Sequence, residues 1–354
     1  MNRPSISRLC WAAAAAGTGL LGLTLVLFGV IALPTASAAG GATSPSTNVP
    51  TANAATTALT TAQIQAQNKI AVDTMNEQAM QPKILSDGTK EFDFTASTFQ
   101  WALYPGKSEE AWGVNQQVPG PVIRVKVGDK VKFVVHNDLP EPTTIHWHGL
   151  AVPNDMDGVP DMPEPPISPG GSFTYEFTVT QQMVGTHWYH SHYDDDLQVD
   201  SGMNGVIIVD PADSSEQPHY DVDALFALGA TKVDGVDAED VFTIDGKAYP
   251  YAPELTVNQG QTVLLRLVNT SGESYHAMTL DGYTLRIVAE DGQPLPDPQS
   301  VSVVSIAPSE TVDVAFTADQ PGDWLFHDTI ESNLTNPDDT KDAMGGAETV
   351  IHVK

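Results

Sequence analysis

The chain has 354 residues, with 16 Lys and Arg against 45 Asp and Glu, so it carries a net charge of −29 although only 17% of its residues are charged. Nothing here neutralises a phosphate backbone, which excludes a nucleic-acid binder. A low charged fraction beside 41% hydrophobic residues, 28 Gly and 26 Pro describes a loop-rich globular protein of two domains. The single cysteine, Cys10, excludes a disulfide framework, a zinc ribbon, an iron–sulfur cluster, a cysteine nucleophile and a thiolate-bound copper in the body of the chain.

Arg3 and Arg8 precede an uncharged apolar run at residues 11–33, then Pro34 and the small-x-small pattern Ala36-Ser37-Ala38. Residues 1–38 therefore read as a secretory signal peptide cut after Ala38. The run of about 23 residues is also long enough to span a bilayer of about 30 Å, so an uncleaved anchor is the alternative. Either way the body lies outside the cytoplasm, secreted, periplasmic or held at the cell surface. Its acidity suits a saline medium or plain solubility.

Residues 39–90 begin as an Ala, Thr, Ser, Gly, Pro and Asn tether without periodicity, followed at 63–81 by a helix-forming stretch with a thin apolar face, expected as a short surface helix. From Glu91 the character changes. Val122-Ile123-Arg124-Val125-Lys126-Val127 and Val131-Lys132-Phe133-Val134-Val135 alternate, punctuated by Pro119-Gly120-Pro121, Gly128-Asp129 and Pro169-Gly170-Gly171. That is the rhythm of an antiparallel sandwich. It weakens at 213–240, expected as an interdomain segment, and resumes with Val241-Phe242-Thr243-Ile244, Thr262-Val263-Leu264-Leu265 and Thr311-Val312-Asp313-Val314. An all-β pair of sandwiches follows, at 91–212 and 241–354. A weak internal repeat supports duplication: Val127-Gly128-Asp129-Lys130-Val131 recurs as Asn258-Gln259-Gly260-Gln261-Thr262-Val263, and Gly185-Thr186-His187-Trp188-Tyr189-His190 as Gly322-Asp323-Trp324-Leu325-Phe326-His327.

Histidines gather in two pairs, His146-Trp147-His148 and His190-Ser191-His192. In a strand, i and i+2 project from one face, so each pair offers two imidazoles while Trp147 or Ser191 turns away. Two such strands paired in a sheet, or meeting at its rim, would assemble four imidazoles. Four neutral imidazoles with no thiolate and no adjacent Glu suit copper best. His187 lies on the other face and reads as a packed or supporting residue. His136, His219 and His352 stand alone as surface histidines. Met203 and Met344 read as gap fillers more readily than as soft copper ligands. Asp194-Asp195-Asp196 reads as a solvated acidic loop, with attraction of cations to the site as the alternative.

The run Thr143-Thr144-Ile145-His146-Trp147-His148-Gly149, then Met156-Asp157-Gly158-Val159-Pro160, then Gly185-Thr186-His187-Trp188-Tyr189-His190-Ser191-His192 and Gly202-Met203-Asn204-Gly205 resembles the first domain of the multicopper oxidases. The resemblance covers residues 91–354 and implies two cupredoxin-like Greek-key β-sandwich domains, of the two-domain, laccase-like type. It implies that His146 is a type 2 copper ligand, and that His148, His190 and His192 are type 3 ligands. Asp157 matches an acidic residue that stands behind the ligands and helps deliver protons to reduced oxygen; a plain Asp-Gly turn residue is the alternative.

The second domain looks like the family's C-terminal domain stripped of its metal chemistry. Complete members carry His-x-x-His-x-His-Gly where this chain reads His276-Ala277-Met278-Thr279-Leu280-Asp281-Gly282, and His-Cys-His followed four residues later by His where it reads His327-Asp328-Thr329-Ile330-Glu331-Ser332-Asn333. By that resemblance Asp328 replaces the type 1 thiolate, Asn333 a type 1 histidine, and Thr279, Asp281 and Thr329 cluster histidines. The electron route from type 1 copper to a trinuclear cluster then cannot be assembled from this chain alone, and a copper nitrite reductase fails for want of the same cysteine. Three readings remain: an extracytoplasmic copper protein keeping a half site, a non-catalytic cupredoxin scaffold, or an oxidase subunit completed by a partner cupredoxin chain or by further copies, as in a homotrimer. The reductant, a small molecule or a metal ion, is not legible.

Overall fold

In the computed structural model, residues 58–232, 240–337 and 344–354 are described. The leader expected at 1–38, Cys10 and most of the tether lie outside them. Among the described residues no helix is long and apolar enough to cross a membrane.

One strand of the first sandwich alternates strictly. Strand Lys130–Asn137 buries every second residue, Val131, Phe133, Val135 and Asn137, and pairs on one side in parallel with Lys90–Tyr104 and on the other antiparallel with Ser172–Thr178. Lys83–Ile84 and Lys107–Val114 complete this sheet. The opposing sheet runs in the order Gly120–Lys126, Asn204–Asp210, Gly185–His190, His146–His148. Phe92, Phe94, Phe133, Trp147 and Tyr189, all fully buried, fill the space between.

The second sandwich repeats the plan. Thr262–Asn269 takes the place of Lys130–Asn137, with a parallel neighbour in Val222–Thr231 and an antiparallel one in Thr311–Thr317. Gly322–Asp328 takes the place of Gly185–His190, lying between Glu348–Val353 and His276–Leu280. The repeat read in the sequence is therefore a repeat of strand positions.

One expectation is corrected. The segment 213–240 is not wholly interdomain, because Val222–Thr231 is a central strand of the second sandwich. Its run Val-Asp-Ala-Leu-Phe-Ala-Leu-Gly-Ala-Thr does not alternate because both faces are covered: Phe226 and Leu228 enter the domain core, while Leu225 and Ala227 pack on Trp188, Val206 and Ile208 of the first sandwich. The expected surface helix is Thr61–Met75, and it is docked through its C-terminal end, where Ala71, Thr74 and Met75 are buried. Thr60 and Gln63 form its capping box, Met75 enters the second domain's core, and Gln67 hydrogen-bonds the backbone of Gln100 and Ala102 in the first sheet. Just beyond it, Glu77 pairs with Arg124 of the first sandwich and, at 2.9 Å, with Arg266 of the second.

Candidate metal centre

The strand His146–His148 pairs antiparallel with Gly185–His190, in the register His146↔His190, Trp147↔Tyr189 and His148↔Trp188. Directly opposed residues share a face, so His146, His148 and His190 project together and Trp147 and Tyr189 go to the core. Trp147 anchors this inward face, its ring centroid 4.2 Å from that of Phe133. His146 lies 5.7 Å from His148, 5.3 Å from His190 and 5.4 Å from His192, ring centroid to ring centroid.

Three of the four imidazoles converge further. One nitrogen each of His146, His148 and His190 lies within 4.8 Å of the other two. Nδ1 of His148 faces Nε2 of His190 at 3.3 Å. Nδ1 of His190 donates to the Ser191 carbonyl and Nδ1 of His146 to the Asp157 carbonyl, both at 2.7 Å, which leaves Nε2 of each ring as the nitrogen that carries the lone pair, that of His190 turned toward His148. Burial, reinforced by the neighbouring His146, pushes His148 down to about 4, and burial pushes His190 down to about 3. Both rings are neutral at pH 7, as metal ligands must be. This donor set fits copper.

The surroundings hold the rings in place. Asp157 reaches His146 chiefly through its backbone, with its carboxylate 3.6 Å from the same Nδ1. Gly158 at φ +78 permits that turn, since a Cβ there would sit 2.0 Å from the Ile145 carbonyl oxygen. Sequence reasoning missed Gln198. It is fully buried, its amide oxygen accepts from Thr143 and Ser191 hydroxyls at 2.7 Å, and its nitrogen donates to the Pro142 carbonyl. Thr144 Oγ1 accepts from the His192 backbone at 3.1 Å. The acidic run before it was the signal that could have led there: Asp195–Gln198 is a helical turn that delivers Gln198.

His187 is buried outside the group, its ring pressed by Gly292 of the second sandwich, where a Cβ would meet Cε1 at 2.5 Å. Met203 is buried in the first core, whereas Met344 is exposed. His352 holds Asp323 at 2.7 Å and Glu254 at 3.1 Å.

In the second sandwich the positions matched to copper ligands are occupied by hydrogen bonds. His276, Asp328 and Asn333 meet in the interior, with Asn333 Nδ2 2.9 Å from the Asp328 carboxylate. His327 gives one ring nitrogen to the Asp328 carbonyl at 2.7 Å and turns the other to Asp281 at 3.4 Å. Thr279 donates to the Ser302 carbonyl. No residue of this domain joins the imidazole group among the described residues. These residues do not fit a thiolate-bound copper.

Two cupredoxin-like sandwiches with an imidazole cluster on one sheet define a protein of the copper oxidase class. Multicopper oxidase family profiles match residues 95–214 and 216–347. The chain is 32% identical to the blue copper oxidase of Nitrosomonas europaea, with a TM-score of 0.68 over 74% of this chain and 85% of that one. It is 32% identical to multicopper oxidase MmcO of Mycobacterium tuberculosis over 57% of this chain and 46% of the relative. Against copper resistance protein A of Escherichia coli it is 31% identical over 59% of this chain and 43% of the relative. The chain therefore belongs to the multicopper oxidase family, whose cofactor is copper. It spans less than half the length of these two curated relatives.

Proposed function

We propose that this is an exported copper-binding multicopper oxidase relative that keeps the first-domain half of the family's copper site and does not sustain the oxidase reaction by itself. One contrast carries the reading: three imidazoles converge in the first sandwich, while the matching positions of the second are closed by hydrogen bonds around Asp328. Export rests on the leader pattern of residues 1–38.

Bound copper supplies one-electron redox chemistry and an affinity for oxygen. The chain's own residues do the rest. His146, His148 and His190 present lone pairs, the Asp157 and Ser191 carbonyls fix two tautomers, and the partly exposed Asp157 carboxylate is placed to pass a proton beside His146. A second reading, completion by a partner chain or another copy, draws on the half-buried state of His146, His148 and His192.

The test is copper analysis of the purified chain, with oxygen uptake in the presence of a reductant, for the native chain and for one with all four histidines changed to Ala. Copper retained by the native chain alone, with no sustained oxygen uptake, supports the proposal. Copper-free native protein points to a scaffold, and sustained uptake lost in the variant overturns the claim of impairment.

A further inference from the structure

We propose that the first sandwich holds a single copper ion on His146, His148 and His190, with His192 outside that ligand set. The inference rests on the copper-binding reading above and narrows it to a stoichiometry and a set of ligands.

Nitrogens bound to one ion at about 2.0 Å lie no more than about 4 Å apart, and the three rings already bring theirs within 4.8 Å of one another. A small contraction of the side chains closes the set. His192 does not join it: although its ring centroid is 5.4 Å from that of His146, it is 6.0 Å from that of His190, and its nitrogens are not among those that lie within 4.8 Å of one another.

Backbone carbonyls hold protons on Nδ1 of His146 and of His190, so each ring offers Nε2, and His148 Nδ1 already faces the latter at 3.3 Å. No deep rearrangement is needed.

A second ion would have to find its own ligands. His192 offers one imidazole. In the second sandwich His327 is held by Asp281 and the Asp328 carbonyl, and Thr279 donates to Ser302. A second ion would therefore hold one imidazole and water, a weak combination beside three converging nitrogens.

The site also carries a reporter. Trp188 stacks on His190 with centroids 4.1 Å apart and planes at 21°, and lies 5.2 Å from His148. Copper(II) on these rings should quench its fluorescence.

The experiment titrates the full chain with Cu(II), counting bound metal after dialysis by atomic emission and following tryptophan fluorescence and frozen-solution electron paramagnetic resonance. The expected result is one tightly held copper per chain, a quenching break at that equivalence, and one axial signal with nitrogen splitting. His192→Ala should keep all three, and His148→Gln should remove the break. Two or more tight ions in the native chain, or loss of the ion on His192→Ala with native circular dichroism, overturns the ligand set while leaving copper binding standing. No copper in the native chain overturns the underlying reading instead. Should His148→Gln fail to fold, the native stoichiometry and His192→Ala still decide.

Discussion

Nδ1 of His276 lies 2.8 Å from a carboxylate oxygen of Asp328, and neither side chain has exposed surface. Asn333 donates to the same oxygen, and the backbone N–H groups of Ala277 and Ile330 donate to the other. One carboxylate thus gathers four donors from strand His276–Leu280 and from the chain leaving Gly322–Asp328. By the family resemblance these positions match copper ligands. By geometry they are a structural anchor.

Asp328→Ala should therefore destabilise the second sandwich by about 3–5 kcal/mol, because the buried donors of His276 and Asn333 lose their acceptor. Burial works against ionisation of Asp328, but hydrogen bonds from His276 and Ile330 hold it below the usual carboxylate range. A depressed folded-state value stabilises above the unfolded one and is lost as pH falls through it, so this contribution should fade from about pH 4 downward. Urea unfolding of native and Asp328→Ala chains across that window checks both claims. An equal midpoint at neutral pH would refute the anchor.

Gly158→Ala should disturb His146 without touching a ligand. The new Cβ would collide with the Ile145 carbonyl and force φ +78 on a residue that resists it, costing about 1–3 kcal/mol and displacing the Asp157 carbonyl that holds His146 Nδ1. Loss of an orienting partner of this kind lowers metal affinity by about 10–100-fold. Competition with a copper chelator measures it, and unchanged affinity in a folded variant would show that the carbonyl is dispensable.

Legibility in the sequence followed local periodicity. His146 and His148 two apart, with Trp147 between them, fixed one face in advance, and the pairing with Gly185–His190 needed only the strand rule. Val222–Thr231 was illegible because a strand covered on both faces loses its alternation, and Gly229 reads like a break. The helix Thr61–Met75 showed a thin apolar face because only its last turns, with Ala71 and Met75, are buried, and the rest of its attachment is polar, Gln67 to backbone and Glu77 just beyond to two arginines. The missing ligands were visible as letters, but not the hydrogen bonds that unite Asp328, His276 and Asn333, which come from segments about 50 residues apart.

Glu77→Ala should loosen the clasp between the sandwiches. Arg266 is 6% exposed and would keep Asp223 at 2.8 Å and Asp313 at 3.3 Å, so the expected cost is about 1–3 kcal/mol, less than for an arginine left alone. Calorimetry should show a lower melting temperature, with the two domains beginning to unfold separately. A single transition at the native temperature would count against the clasp.

Loading with copper should give no intense blue colour, since that band needs a thiolate-to-copper transition and Cys10, the only cysteine, lies in the expected leader. A visible spectrum of the copper-loaded chain decides it.

The last expectation concerns turnover. Reduction of dioxygen to water takes four electrons, and the first sandwich alone offers one group of three converging imidazoles. The second has Asp328 engaged by His276, Asn333 and two backbone donors, with His327 turned toward Asp281. Copper-loaded chain should therefore show no sustained oxidation of phenols, diamines or cuprous ions. Asp328→Cys alone should not restore it: the thiolate would lose the hydrogen bonds that the carboxylate now accepts, and no imidazole of this domain joins the group among the described residues. Restoration should require Asp328→Cys together with histidines at Thr279, Asp281, Thr329 and Asn333, or a partner chain supplying them, because residues acting as one unit contribute little singly. Oxygen-electrode traces for the native chain, Asp328→Cys and the five-fold variant make the comparison. Sustained uptake by Asp328→Cys alone would show that the second sandwich needs only its sulfur, and the argument from the missing histidines would fall.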